Sequence, residues 1–500
     1  MRTSTCPEAV SKTLRRGLFL LTIIGLCSGP CWAEDVARIF ITEIITDTSQ
    51  ILSESEIESV TSRYVRRDVT ITDLNEMVGE INELYRQRGF ITAKAILPAQ
   101  KIENGVVRIR LVEGRIGRVV VEGNRSAAAS YFTKRIRLTP GDLIRLDRMT
   151  NEVGYFNRVN DDQVNVQLTP GEEFGTTDCV LVIQEARDQR IVFIDNAGRD
   201  ETGLIRLGAT FVRSHLFGHG DPLSVSGVWA QGTLAGSVSY RVPIGVRGAR
   251  LTIGYDGSQI DILSPGFEDL DIKGYSSDVH MEFGYPLVVT PKLRVWGPVQ
   301  LHHKSSNSTF SGASLVGSVV RTAGVGLNVQ WEGSGLVGYG QCDYQVGETK
   351  LENGDGEGDT FSKGDCSFTG QTALANRLFL TVRGAVQETK DQLPSSEKFS
   401  VGGASTVRGY PEGALIGDRG FFASVELEAP MGSRLAGIVF VDHGGAFAAT
   451  GSGVAHESGH LTGMGVGVSA RILPGLSCKV AYGMSQQRSP RVHVSLQASL

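Results

Sequence analysis

The chain has 500 residues, with 49 Lys+Arg against 54 Asp+Glu and a formal net charge of -5, a balance that argues against a nucleic-acid binder driven by a basic surface. Glycine accounts for 62 residues against a usual share of roughly 7%, charged residues make up 21%, and mean hydropathy is near zero. Such a chain is neither apolar enough for a helical membrane protein nor polar enough for disorder, which leaves a large multidomain soluble protein or a transmembrane β-barrel.

At the start, Lys12, Arg15 and Arg16 precede an apolar run from Gly17 to Cys27, and small residues lead to Cys31-Trp32-Ala33. This is the layout of a secretory signal peptide over residues 1–33. The apolar run falls well short of the roughly twenty residues of a spanning helix, and no later stretch reaches that length. Membrane insertion must therefore use strands.

From about Val36 to Glu185 helix and strand patterns mix. An alternating strand from Ala37 to Ile45 leads to a helical segment after Ser53. Thr70 and Asp73 resemble a helix-starting capping box, with Leu74, Val78, Ile81 and Tyr85 on one stripe and Gly89 placed to end the helix. Strands Thr92 to Leu97 and Val106 to Val112 follow. The same order then repeats, with a strand at Arg118 to Glu122, helices at Ala127 to Arg135 and Leu146 to Val159, and strands at Val164 to Leu168 and Cys179 to Gln184. Two copies of one small β-α-α-β-β module are expected, over 34–115 and 116–187.

After about Arg187 the period becomes two. Val279, Met281, Phe283 and Tyr285 oppose His280 and Glu282; Leu378, Leu380, Val382 and Val386 oppose Arg377, Thr381, Arg383 and Gln387. Strands apolar on one face and polar on the other, without helical cover, fit a barrel with a wet interior over residues 188–500. Runs between turn signals number about sixteen, an even count as a closed antiparallel barrel requires.

Beyond the signal segment, four cysteines remain: Cys179, Cys342, Cys366 and Cys478. None forms a C-x-x-C pair, so zinc and thioredoxin-like chemistry are unsupported. Cys342 and Cys366 flank the acidic loop Glu352 to Gly358 and would face each other in a hairpin. Two readings stand for the pair, a disulfide or two unpaired small apolar side chains. The histidines, including His302, His303, His443, His456 and His460, read as solvated loop or lumen residues. The acidic loop lacks the full spacing of a calcium-binding loop. No metal or cofactor is expected, and no nucleophile-and-base spacing of an enzyme stands out.

Between the eleventh and twelfth runs lies a long connection from Gly402 to Gly420, by parity the sixth outer loop, containing Val407-Arg408-Gly409-Tyr410. Connections of this length without structure of their own are usually functional or disordered. On the thirteenth run Phe440, Asp442 and Gly444 share one face, and Val439 and Val441 the other. With the valines toward lipid, Asp442 points into the lumen and makes a plausible two-point partner for Arg408. Glu426 and Glu428, inward by the same alternation, are alternative partners.

These residues resemble a known family. The repeats look like polypeptide-transport-associated (POTRA) modules. VRGY, followed by F-x-D-x-G on a late strand, resembles the signature pair of the superfamily that unites barrel-assembly insertases with two-partner secretion transporters. Two modules before a sixteen-stranded barrel are similar to the haemolysin-activator type. Arg88-Gly89-Phe90, Leu97-Pro98-Ala99-Gln100, Asp195-Asn196-x-Gly198 and Leu216-Phe217-Gly218-x-Gly220-Asp221 support the likeness. The resemblance implies an outer-membrane translocator of a Gram-negative bacterium that captures one large, unfolded, haemagglutinin- or haemolysin-like partner in the periplasm and exports it through its pore. It further implies outer-membrane lipid, periplasmic chaperones and the barrel-assembly machinery as partners, and no nucleic acid. An insertase of the same superfamily is the runner-up reading, and a passive porin follows. Two departures from the family pattern are the few residues between Ala33 and the first strand, which argue against an N-terminal plug helix, and a chain ending in Leu500 where an aromatic residue is common.

Overall fold

The computed structural model describes residues 37–263, 271–311, 313–333, 335–351, 358–374, 377–449, 459–485 and 489–500. The expectations about the signal segment, a plug, His456 and most of the acidic loop lie outside these residues.

The first module follows its sequence periodicity. Ser53 and Glu56 form a capping box ahead of the helix Glu54–Thr61. Thr70 and Asp73 do the same for Ile71–Gln87: the Thr70 N–H donates to Asp73 Oδ2 at 2.7 Å, and the Asp73 N–H to Thr70 Oγ1 at 3.2 Å. Each box satisfies backbone donors that a helix start leaves unpaired. Leu74, Met77 and Ile81 from the second helix and Val107 and Ile109 from the sheet are fully or almost fully buried. The sheet order is Glu43–Thr46, Val106–Val112, Lys94–Ile96. The single strand expected over Ala37 to Ile45 is two: Ile39–Ile41 pairs with Arg67–Val69, and Glu43–Thr46 runs parallel to Val106–Ile109.

The second module repeats the plan, with strand Arg115–Glu122, helices Ala129–Arg135 and Leu146–Val159, and strands Gln163–Pro170 and Thr176–Gln184. Its sheet order is first, last, middle. Tyr131, Phe132 and Phe156 pack ring to ring at 5.0–6.1 Å, above a floor of Ile136, Ile144 and Leu181, all without exposure. This module is tied to turns at one end of the barrel. The Ala128 N–H donates to the Gly218 carbonyl at 2.8 Å, Arg135 to the Gly245 carbonyl at 2.9 Å, and the Tyr155 hydroxyl to the Arg247 carbonyl at 2.8 Å. His215 Nε2 lies 2.9 Å from Asp162 Oδ1, both side chains buried.

Sixteen antiparallel strands, from Gln189–Asp195 to Arg491–Ser499, close into a barrel in which the last pairs with the first. The sixth (Ile272–Val289), seventh (Leu293–Phe310) and eighth (Ala313–Glu332) are long, at 18, 18 and 20 residues. Alternation sorts the side chains as expected. Val279 and Met281 are outward and exposed, as are Val439 and Val441, while the residues between them face the lumen. Among the described residues no helix is long and apolar enough to cross a membrane. An exposed apolar surface wrapped round a polar interior is stable only where lipid covers it.

Cys342 and Cys366 stand opposite each other on the ninth (Leu336–Leu351) and tenth (Asp359–Ala373) strands, with Cα atoms 4.1 Å apart, and are joined as a disulfide. Of the two readings left open by the sequence, the structure holds the first. Cys179 and Cys478 form no disulfide among the described residues.

Candidate functional site

The connection between the eleventh strand (Phe379–Glu388) and the twelfth (Arg419–Pro430) is longer than the sequence suggested, running over residues 389–418. It has structure of its own, because Phe399–Val401 and Leu415–Gly417 pair as a short ribbon. Two buried carboxylates fix its limbs. Glu397 takes Lys304 of the seventh strand at 2.5 Å and Lys363 of the tenth at 3.1 Å. Asp418 accepts the N–H groups of Leu393 at 3.0 Å and Ala449 at 2.8 Å.

The ribbon carries Val407-Arg408-Gly409-Tyr410 down against the inner wall. Val407 and Tyr410 pack in an apolar cluster with Val401, Ala446 and Leu461. The Tyr410 hydroxyl donates to the Thr462 carbonyl at 3.2 Å, and the Gly409 N–H donates to His493 Nε2 at 3.2 Å. Gly409 has φ +95, which favours glycine.

Arg408 is 3% exposed and Asp442, on the thirteenth strand (Leu435–Phe447), has no exposure at all. Arg408 Nε donates to Asp442 Oδ2 at 2.7 Å and Nη2 to Oδ1 at 2.9 Å, a two-point match, and the Arg408 backbone N–H adds a third bond at 3.1 Å. Nη1 donates to Glu426 Oε2, whose other oxygen takes Lys479 Nζ at 2.8 Å. The guanidinium carbon lies 3.5 Å from the centre of the Phe440 ring, within cation–π range. Two cations and two anions thus balance on a wall where an uncompensated charge would be costly. A cavity of about 420 Å³ opens beside them, lined in part by Arg206, Glu412, Lys479 and His493.

The structure brings Arg408 against Asp442 and Phe440, on the inward face where alternation sets those two strand residues. Glu426, offered by the sequence as an alternative partner, binds at the same time as Asp442. Glu428 is one step further along the same face, and the guanidinium's bonds go to Asp442, Glu426 and Ser424 instead. Gly444 is where it was expected, and a Cβ there would press on the Phe421 carbonyl and Val401. Sequence reasoning missed Lys479, His493, Gly463 and Gly483. A Cβ on Gly463 would collide with the Arg408 carbonyl oxygen, and one on Gly483 would sit 2.5 Å from Gly409 N. The loop tip lies flat on the fourteenth (Gly459–Leu473) and fifteenth (Leu476–Ser485) strands because those positions have no side chain. Alternation marks the inward face of a strand but not which inward glycines a distant loop will touch.

Known proteins share this architecture. The heme/hemopexin transporter protein HuxB of Haemophilus influenzae is 25% identical over 425 residues, covering 80% of this chain and 74% of that protein. The outer membrane transporter CdiB of Dickeya dadantii is 25% identical over 429 residues, 80% of this chain and 72% of its own. Among solved structures, CdiB from Escherichia coli superposes with a TM-score of 0.65 at 20% identity, covering 95% of this chain and 93% of that one. BamA from Haemophilus ducreyi lacking POTRA domains 1–3 gives 0.57 at 14% identity, covering 93% and 100%. The ShlB-type POTRA domain matches residues 39–114. Because the haemolysin secretion/activation protein ShlB/FhaC/HecB model matches residues 175–470, more than half its length, the chain belongs to that family of outer-membrane two-partner secretion transporters.

Proposed function

We propose that this transporter threads one large partner polypeptide, unfolded, from the periplasm through its lumen, and that the Arg408, Asp442 and Glu426 network holds the long outer loop inside the pore in the arrangement export requires. The observation that carries this reading is the depth of Arg408. A residue near the tip of an outer loop is buried against the inner wall by a two-point bond to Asp442. Such an assembly positions a loop far more tightly than apolar contact alone, since guanidinium and carboxylate match in direction as well as charge.

The two periplasmic modules, 34–115 and 116–187, would receive the partner first. Each has a three-stranded sheet whose outer strands, such as Lys94–Ile96 in the first and Gln163–Pro170 in the second, pair on one side only among the described residues. An extended segment can add to such an edge through main-chain hydrogen bonds, with affinity that depends little on its sequence. Free edges are usually blunted, so two in succession favour use. Folding of the partner outside the cell would supply the driving force. Periplasmic chaperones, the barrel-assembly machinery and surrounding lipid would serve delivery, assembly and insulation.

Co-expression with a candidate large exported polypeptide, sought first in the reading frame adjoining this gene, tests the direction of transport. The partner should reach the medium only when this protein is present. A partner that stays in the periplasm, together with a fall in other outer-membrane barrels when this protein is removed, would favour an insertase instead.

A further inference from the structure

On the lumen wall away from the loop tip, the sheet register assembles a second group of side chains. His280 of the sixth strand and His302 of the seventh are direct cross-strand partners. Asp278, two residues before His280 and so on the same face, is opposite Asp256 of the fifth strand (Ala249–Asp261) on one side and Lys304 on the other. Val279 and Met281, facing out, are 51% and 41% exposed, which puts the intervening residues inward. The two imidazoles stack with centres 5.6 Å apart, His302 Nδ1 is 2.9 Å from Asp278 Oδ2, and one ligand-capable atom from each of the three residues lies within 4.8 Å of the other two.

Three features say that this row is incomplete as it stands. Asp278 Oδ1, His280 Nδ1 and, across from His302 on the eighth strand, Thr322 Oγ1 are buried atoms that find no hydrogen-bond partner among the described residues. Asp256 Oδ2 approaches His280 Nδ1 to 3.2 Å without the alignment of a hydrogen bond. Orphaned buried polar atoms are uncommon in native proteins and mark an ion or ordered water when they cluster. Second, Lys304, the cation best placed to neutralise Asp278, is drawn to Glu397 of the long loop at 2.5 Å. Third, a Cβ on Gly254, the cross-strand partner of His280 on the fifth strand, would collide with His280 Nε2, so the wall is hollowed where this ring rests.

We propose that Asp278, His280 and His302 form a binding site for one divalent transition-metal ion on the inner wall of the pore, with Asp256 beside it. Two neutral imidazoles and a carboxylate suit zinc, copper, nickel or cobalt, whereas calcium and magnesium prefer oxygen donors alone. The two aspartates supply two negative charges, matching the ion. Donors bound to one such ion are at most about 4.4 Å apart, so the three need only a small inward adjustment on strands the barrel already holds in register. The ion would cross-link the sixth and seventh strands beside Lys304, the cross-strand partner of Asp278 that anchors the long loop. The sequence reading of His302 as a solvated lumen residue changes because register, which a single strand does not reveal, sets His280 opposite it.

The test is calorimetric titration of the mature, untagged, EDTA-treated protein in detergent with zinc chloride, paired with the visible absorption of the cobalt form. One ion per chain is expected, with the absorption of a nitrogen-containing site. Asp278→Asn should weaken binding by at least roughly tenfold, the lower bound seen when even an outer-shell partner is removed, and His280→Gln with His302→Gln should abolish it. His443→Gln, which alters a second stacked pair, His443 and His460, should leave it intact. Absence of stoichiometric binding overturns the site, as does binding that survives both Asp278→Asn and the double variant or is lost only in His443→Gln. Heat-modifiable migration in gels confirms that each variant retains its barrel, and if the double variant does not, the Asp278→Asn titration decides.

Discussion

At the scale of single residues, the loop lock depends on directional bonds. Lysine at position 408 would keep the charge but lose the planar fork that reaches Asp442 and Glu426 together. Arg408→Lys should therefore impair export nearly as much as Arg408→Ala, measured as partner in the medium relative to partner in the cells. A pure charge requirement would instead let lysine function. Gly463→Ala tests the fit of the tip without touching any charge. Its Cβ would meet the Arg408 carbonyl, so the loop must lift, and export should fall by roughly tenfold, equivalent to about 1.4 kcal/mol of lost docking, while barrel assembly stays normal. Asp442 was legible in the sequence because a charged residue among outward valines has only one face to occupy, and Arg408 because it stands in the compact Val407-Arg408-Gly409-Tyr410 cluster of a long glycine-rich connection. Whether Glu426 or Glu428 joins them was not legible, since both satisfy the alternation and only the depth of the loop selects between them. The contributions of Lys479, Gly463 and Gly483 arise from strands that meet the loop only in the closed barrel.

At the scale of elements, helices declared their starts and stops. Ser53, Thr70 and Gly89 punctuate the first module where capping chemistry and φ require it, and Leu146–Val159 matches its periodic run. The first strand was misjudged in extent, because apolar alternation continues across a point where the chain leaves one sheet for another. The second module offers a test with pH. Glu185 is partly buried, which works to raise its pKa, but the N–H groups of Ala127, Arg125 and Ser126 bond its carboxylate at 2.7–3.0 Å and hold the pKa below the ordinary value. A depressed folded pKa gives stability that is present above the unfolded value, about 4.3, and is lost as pH falls through the lower folded value. Amides of residues 125–127 should therefore exchange faster as pH drops below about 4, after correction for intrinsic rates, and Glu185→Gln should remove that dependence. An unchanged profile in the variant would contradict the capping role.

At the scale of the whole molecule, the feature that first looked ambiguous, near-zero hydropathy with abundant glycine, resolves into alternating lipid-facing and lumen-facing residues. The sixteen strands were countable because each carries its own period and its own turn signals. Closure of the ring was implied only by the even count and the absence of helical cover. The disulfide follows from the same register. Cys342 is exposed on the outer surface beside Tyr344 and Val346, and its partner is held opposite by the flanking ladder of the ninth and tenth strands. Maleimide labelling of the mature folded protein without reductant should therefore modify Cys478, which is partly exposed, and spare Cys342, Cys366 and the buried Cys179. Reductant should open the pair to labelling without unfolding the barrel, and labelling of Cys342 before reduction would contradict the pairing.

On the proposed mechanism, burial of Arg408 on Asp442 holds the pore in the arrangement that export requires. Removing one partner of a buried ion pair typically costs about 3–5 kcal/mol, which the loop must absorb by leaving the wall, whereas the ladder hydrogen bonds of the barrel remain. The most direct measurement is the amount of partner polypeptide released to the medium by cells carrying Arg408→Ala or Asp442→Ala at wild-type levels of inserted barrel. We predict that both variants insert normally and lose most of their export. Full export by both single variants would contradict the account.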